Sequence, residues 1–132
     1  MSFTTTLDLN PKFTFFAPVR TIGLTRDGLA EQVDHAIIAL DGRAPVGGGT
    51  TLEALNPLLG GDVLRVDLWV SDLDDYTCTY GFLISSENGS VPYARGERTV
   101  VNVDPKTHRA AKWSSDFRVT HAELLKDLPA IA

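Results

Sequence analysis

The sequence is poor in the residues that build disulfides and metal sites. It has one cysteine, Cys78, and three histidines that stand far apart in the chain. A disulfide within the chain needs two cysteines, and the histidine spacing matches no metal-ligand motif. No apolar run approaches the roughly 18 residues of a membrane span, and the start, MSFTTTLDLN, lacks the basic and apolar regions of a signal peptide. We therefore expect a cytoplasmic protein with no membrane contact, disulfide framework or bound metal.

Positive charge is also scarce. The chain has 12 basic and 17 acidic residues, a formal net charge of -5, which would repel a phosphate backbone. Nucleic acid is therefore not an expected partner. With 132 residues, 43% of them hydrophobic and 22% charged, the composition is that of a globular chain. The length predicts a single domain over residues 1–132.

The first half of the chain predicts one strand and one long helix. Residues 12–20 are aromatic and β-branched and predict a strand. From Thr25 to Gly42, apolar side chains recur at helical spacing, and Asp27 suits the positive end of the helix dipole. Because Ile38 falls on the opposite side of this helix, among acidic residues, we expect the rest of the chain to wrap the helix.

The second half predicts an antiparallel sheet. Strands are expected over residues 50–58, 62–72, 76–86 and 91–104. The Asn88-Gly89 pair is typical of a hairpin turn, and Gly96 suggests a β-bulge. A capping-box pattern over residues 120–123 predicts a short final helix through about Leu128. Since alternating strand–helix–strand units are absent, the fold class is α+β, with one sheet holding one helix.

Residues 23–104 resemble the hotdog-fold acyl-CoA thioesterases, in particular the 4-hydroxybenzoyl-CoA and phenylacetyl-CoA thioesterases. Three segments carry the resemblance: NPLLGGD at 56–62, YARGERTVV at 93–101 and GLTRDGLAE at 23–31. Ile22 and Leu24 stand where that family has a histidine and its second glycine. The resemblance implies an antiparallel sheet of about five strands around one central helix.

The resemblance also implies hydrolysis of an acyl-CoA thioester with an aromatic or medium-chain acyl group and no cofactor beyond this substrate. Glu31 is the first candidate for a general base or nucleophile, and Asp27 or Asp34 lies close enough on the helix to take its place or to orient the water. The chain is also similar to a second 4-hydroxybenzoyl-type subfamily, whose acid is an aspartate just before the helix in a D-x-x-G pattern, which residues 27–30 match in part; that resemblance implies the catalytic role for Asp27 instead. Backbone N–H groups at the helix start are expected to bind the carbonyl oxygen. The expected oxyanion and substrate-binding residues are Gly23, Leu24, Thr25 and Gly28.

Basic residues on the later strands are candidates for the phosphates of coenzyme A. They are Arg95, Arg98 and Lys112. In the resembling family two protomers join their sheets with the acyl site between them, which implies a homodimer or a dimer of dimers.

Other interpretations of the same residues stay open. Asp27 can serve only to compensate the helix dipole, and Asp34 and Asp41 can be the solvated edge of the helix. Cys78 alternates with aromatic residues on a strand and is expected to pack in the core. The alternative function is a non-catalytic protein that binds acyl-CoA without hydrolysing it.

Overall fold

Five antiparallel strands and two helices make up the computed structural model, which describes residues 12–18, 26–57 and 63–125. All but the last of the elements predicted from the sequence are found near their expected positions. In chain order the elements are β1 (Phe13–Pro18), α1 (Arg26–Asp41), β2 (Thr50–Ala54), β3 (Val63–Leu73), β4 (Thr77–Ser86), β5 (Pro92–Val101) and α2 (Ser115–Ala122). Neither helix is long and apolar enough to cross a membrane, within the residues described.

The strands form one sheet in the order β1-β3-β4-β5-β2. The two longest neighbours, β3 and β4, pair with Leu68 opposite Phe82, and β1 and β2 form the two edges. Helix α1 contacts β1, β3 and β2, so it lies across one face of the sheet. This arrangement confirms the predicted α+β class with a single antiparallel sheet around a central helix.

The core lies between α1 and this inner face of the sheet. Alternate residues of β3, from Leu64 to Val70, are fully buried, and so are Val33, Ala36 and Ile37 on α1. Burial of each valine, leucine or isoleucine side chain contributes roughly 1.5–3 kcal/mol to the free energy of folding, and burial of an alanine contributes less. Ile38 is 40% exposed on the other side of α1, so the described part of the chain covers this helix only in part.

The predicted bulge at Gly96 is wrong. Gly96 lies in regular register between Phe82 and Leu52, and the sheet irregularities fall at Val70/Asp72 and Ile84/Ser85. A Cβ atom at Gly96 would lie 1.9 Å from the carbonyl oxygen of Thr51. The glycine is therefore explained by close approach of the neighbouring strand rather than by an extra residue.

The final helix also begins earlier than predicted. Helix α2 starts after Ser114, whose Oγ accepts the N–H of Phe117 at 3.1 Å, and it ends at Ala122. Thr120 therefore lies inside the helix, where its hydroxyl contacts the carbonyl oxygen of Asp116 instead of capping a new start. The predicted end near Leu128 lies outside the described residues.

Candidate functional site

Acidic side chains form a stripe along α1, because Asp27, Glu31 and Asp34 are spaced four and three residues apart. Asp27 and Glu31 are exposed near the start of the helix. The Glu31 side chain is 57% exposed, and one of its oxygens lies 3.6 Å from Nε2 of His35. No described residue forms an ion pair or hydrogen bond with the Asp27 carboxylate. Within the described part of the chain, both side chains therefore keep carboxylate oxygens that can contact a ligand at this end of the helix.

Asp34, the third member of the stripe, is tied to the sheet. Its Oδ1 accepts Nε–H of Arg98 on β5 at 3.0 Å. The Arg98 side chain is only 10% exposed, and it also donates to the carbonyl oxygens of Gly47, at 2.6 Å, and Thr99. These bonds hold the α1–β2 loop against β5. The Arg98 guanidinium is thus engaged by groups of its own chain rather than turned to solvent.

Asp41, at the C-terminal end of α1, is not the solvated residue that the sequence suggested. Its side chain is 7% exposed, its Oδ1 lies 2.7 Å from Nε2 of His121, and its Oδ2 accepts the Tyr80 hydroxyl at 2.5 Å. His121 in turn places Nδ1 2.9 Å from the carbonyl oxygen of Phe117. Because both ring nitrogens of His121 face oxygen acceptors, this buried network joins α2 to α1.

The buried network of Asp41, His121 and Tyr80 lies beside Cys78, the one cysteine of the chain. Burial raises the pKa of the Cys78 thiol to about 12, and Tyr80, whose pKa burial also raises, lies next to it. Cys78 is fully buried in the core. The predicted packing role of this cysteine is confirmed, since a buried, protonated thiol is a poor nucleophile.

An apolar cleft of about 210 Å³ opens beside the first turn of α1, between this helix and the ends of β2 and β5. The polar residues here are bonded to backbone: Arg26 Nη1 donates to the Leu52 carbonyl oxygen at 2.7 Å, and Asn56 Nδ2 to the Pro92 carbonyl oxygen at 2.8 Å. An apolar cavity of about 150 Å³ is large enough for benzene, so the cleft has room for one ring or a short chain. Its lining residues are Arg26, Leu29, Leu52, Ala54, Asn56, Pro57 and Tyr93.

A larger groove, of about 600 Å³, lies on the sheet face that points away from α1. Trp69 and Leu83 line it together with Arg95, whose Nε is 2.8 Å from Oε1 of Glu53. The groove is separated from the acidic stripe by the sheet itself. Arg95 is therefore on the opposite side of the sheet from Glu31.

The residues predicted to bind coenzyme A are not brought together. Arg95 is on the outer face, Arg98 lies under α1, and Lys112 precedes α2 with its Nζ 4.0 Å from Oδ2 of Asp75. Of the residues predicted to bind the carbonyl oxygen, Gly28 is buried in the first turn of α1. Gly23, Leu24 and Thr25 lie outside the described residues.

Neither the cleft nor Arg26, the cation among its described lining residues, was predicted from the sequence. Arg26 was present in the motif at 23–31, but its partner Leu52 is 26 residues away, and no local pattern indicates that contact. No group of three or more histidine, cysteine or acidic side chains within the described ranges is arranged to hold a metal ion.

Solved structures share this fold. A predicted thioesterase from Bacillus stearothermophilus is 21% identical, with a TM-score of 0.70 over 90% of this chain and 100% of its own. A 1,4-dihydroxy-2-naphthoyl-CoA thioesterase from Synechocystis is 14% identical, with a TM-score of 0.68 over the same shares. A thioesterase from Thermus thermophilus, solved with coenzyme A and Zn, is 19% identical, with a TM-score of 0.68 over 80% of this chain and 94% of its own.

The sequence itself is matched by a family model. No curated protein matches the chain significantly. The model of the thioesterase-like superfamily, in contrast, matches residues 12–120, which include all five strands, all of α1 and most of α2. The chain therefore belongs to the thioesterase-like superfamily, a family of thioester hydrolases.

Proposed function

We propose that the protein hydrolyses an acyl-CoA thioester whose acyl group is aromatic or of medium length. The observation that carries the proposal is that the N-terminal part of α1 bears both an apolar cleft and the exposed carboxylates of Asp27 and Glu31, of which Glu31 has a 3.6 Å contact with Nε2 of His35. The cleft takes the acyl group, and the carboxylates flank the helix start where a thioester carbonyl can rest. Relatives of the same fold that were solved with coenzyme A support this ligand.

Glu31 is the proposed catalytic residue. As a general base, its carboxylate removes a proton from water while the water oxygen bonds to the thioester carbonyl carbon. As a nucleophile, the carboxylate oxygen attacks the same carbon, and water later cleaves the resulting anhydride. In both routes the C–S bond breaks and coenzyme A leaves as a thiolate that takes up a proton. Asp27 is the second candidate and Asp34 the third, since Asp34 is held by Arg98.

Negative charge builds up on the carbonyl oxygen as the carbon is attacked. Backbone N–H groups at a helix start point along the axis and have no partner within the helix, so they stabilise this charge. We assign the role to the start of α1, with Gly23, Leu24 and Thr25 as donors and Gly28 leaving space for the substrate. This chemistry needs no metal ion or redox cofactor.

A second copy of the chain is proposed to complete the site. Glu31 is too exposed to work in a water-excluded environment, and Ile38 on the same side of α1 is 40% exposed. The two edge strands, β1 and β2, offer backbone groups for pairing with another sheet. We therefore expect a homodimer, or a dimer of dimers, with the acyl group bound between protomers.

Exposed cations are proposed to hold the phosphates of coenzyme A. Arg95 and Lys112 have exposed side chains whose acidic partners are also exposed, so a phosphate can compete for them. Binding of a coenzyme A phosphate by Arg98 stays a prediction from the sequence. Its buried contacts with Asp34 and Gly47 favour a role in holding α1 and the α1–β2 loop in place.

Release of free thiol tests the proposal. Purified protein is incubated with short, medium, long and aromatic acyl-CoAs, with and without a metal chelator. We expect turnover of at least one aromatic or medium-chain substrate at a rate that chelator leaves unchanged. Loss of the rate in chelator, restored by zinc or magnesium, would refute the metal-free chemistry. Tight binding of acyl-CoAs with no turnover would favour the alternative, a non-catalytic acyl-CoA-binding protein.

A further inference from the structure

Arg26 is not explained by the stability of its own helix. It is the first residue of α1, at the positive end of the helix dipole, where a cation is unfavourable by roughly 0.3–1 kcal/mol. No acidic side chain among the described residues lies within ion-pair distance of its guanidinium. Its single hydrogen bond within those residues goes from Nη1 to the carbonyl oxygen of Leu52. A guanidinium has five N–H groups, so most of its donors are not used by the residues that the structure describes.

This guanidinium stands at the wall of a cleft that is otherwise mainly apolar. Leu29, Leu52, Ala54, Pro57 and Tyr93 line the cleft, and the amide of Asn56 is turned to the Pro92 carbonyl oxygen. Among the described residues that line the cleft, Arg26 is thus the one that carries a charge. An apolar cleft with a single cation favours a ligand that is apolar along its length and anionic at one point, because a planar guanidinium binds a carboxylate through two parallel N–H···O bonds.

We propose that Arg26 selects acyl groups that end in a carboxylate, so that the preferred substrates are coenzyme A monothioesters of short dicarboxylic acids. The inference rests on the proposed hydrolase function and extends its substrate class to shorter acyl groups that carry a terminal carboxylate. The methylene chain of the acyl group lies against Leu29 and Leu52, and its terminal carboxylate binds the free edge of the guanidinium. Arg26 remains bound to Leu52, which holds the side chain in place before substrate arrives.

The test compares two substrates of the same shape. Glutaryl-CoA ends in a carboxylate, and 5-methylhexanoyl-CoA carries two methyl groups in place of the two carboxylate oxygens. We expect kcat/KM to favour glutaryl-CoA by at least about tenfold, mainly through KM. In Arg26→Met this ratio should fall to about one or below, while Arg26→Lys, which keeps the charge, should retain part of it. Arg118→Met removes a half-exposed cation on α2, which is paired with Asp75, and should leave the ratio unchanged.

The outcomes separate the possible roles of Arg26. If it contacts the phosphates of coenzyme A instead, Arg26→Met will weaken both substrates equally and the ratio will survive. If it only ties α1 to β2, the variant will melt earlier with the same ratio. Either result, or a wild-type preference for 5-methylhexanoyl-CoA, overturns the inference while leaving the hydrolase function intact. Absence of turnover with every acyl-CoA overturns the proposed function itself, and glutaryl-CoA binding then shows whether the carboxylate preference holds without catalysis.

Discussion

The two ends of α1 carry the same kind of residue in opposite circumstances. At the C-terminal end, Asp41 is buried and bonded to His121 and Tyr80. At the N-terminal end, Asp27 is exposed, and the one charged or polar contact of the Glu31 carboxylate within the described ranges is with His35. Asp34 lies between the two cases, half-exposed and paired with Arg98. A carboxylate that is fully engaged in the fold has no oxygen left for a substrate, so this comparison gives Asp41 a structural role and is the reason we propose the carboxylates at the other end for the chemistry.

The buried end gives the largest expected effect on stability. Asp41→Ala removes one partner of a buried pair and leaves Nε2 of His121 and the Tyr80 hydroxyl without the carboxylate they contact, while Nδ1 of His121 keeps the Phe117 carbonyl oxygen. We expect the free energy of unfolding to fall by about 3–5 kcal/mol. Asp27→Ala, the matched change at the exposed end, should cost less than about 1 kcal/mol. Urea denaturation of the two variants measures both values. Equal losses in the free energy of unfolding would contradict the structural role assigned to Asp41.

The intermediate residue should give an intermediate effect. Asp34→Ala leaves the buried Arg98 guanidinium without its carboxylate, although the carbonyl oxygens of Gly47 and Thr99 still accept from it. We expect a loss of about 1–3 kcal/mol in the free energy of unfolding. A double variant with Arg98→Met should lose less than the two single costs added together, because each single change already breaks the same pair. Additive costs would mean that the pair is not coupled.

The sequence predicted the exposed end of α1 better than the buried end. Helical spacing and the dipole placed the helix and its acidic stripe, because both depend on residues close in the chain. The burial of Asp41 depends on His121, which is 80 residues away on a helix whose start was predicted wrongly. The Arg26 cleft likewise needs β2 and β5 to come together. The burial of Asp41 and the cleft beside Arg26 could not be predicted because both depend on contacts between segments that are distant in the sequence.

Alkaline pH should weaken the core beside the buried end. The pKa of Cys78 is raised from 9.0 to about 12 in the folded protein, so the unfolded chain loses its thiol proton first. The stabilising contribution is therefore complete below about pH 9 and is lost as pH rises from there towards 12. We expect the free energy of unfolding to decline across this window, and Cys78→Ala to decline less steeply. Identical slopes in denaturation experiments would contradict the assignment to Cys78.

The smallest effect is expected from Asp27→Asn. This change weakens the favourable interaction with the helix dipole and leaves the other acidic side chains in place. We expect kcat to fall by less than about tenfold, with the fold unchanged. Steady-state kinetics on the best acyl-CoA substrate measures this loss. A total loss of turnover would move the catalytic role from Glu31 to Asp27.

The central claim is that the exposed carboxylate of Glu31 performs the chemistry, and the turnover of Glu31→Gln tests it most directly. Glutamine keeps the size and polarity of the side chain and removes the base. We expect kcat to fall by about 100-fold or more, with an unchanged circular dichroism spectrum and unchanged affinity for coenzyme A. A Glu31→Gln variant that turns over substrate at nearly the normal rate would contradict the claim and direct the search to Asp27 and then to Asp34.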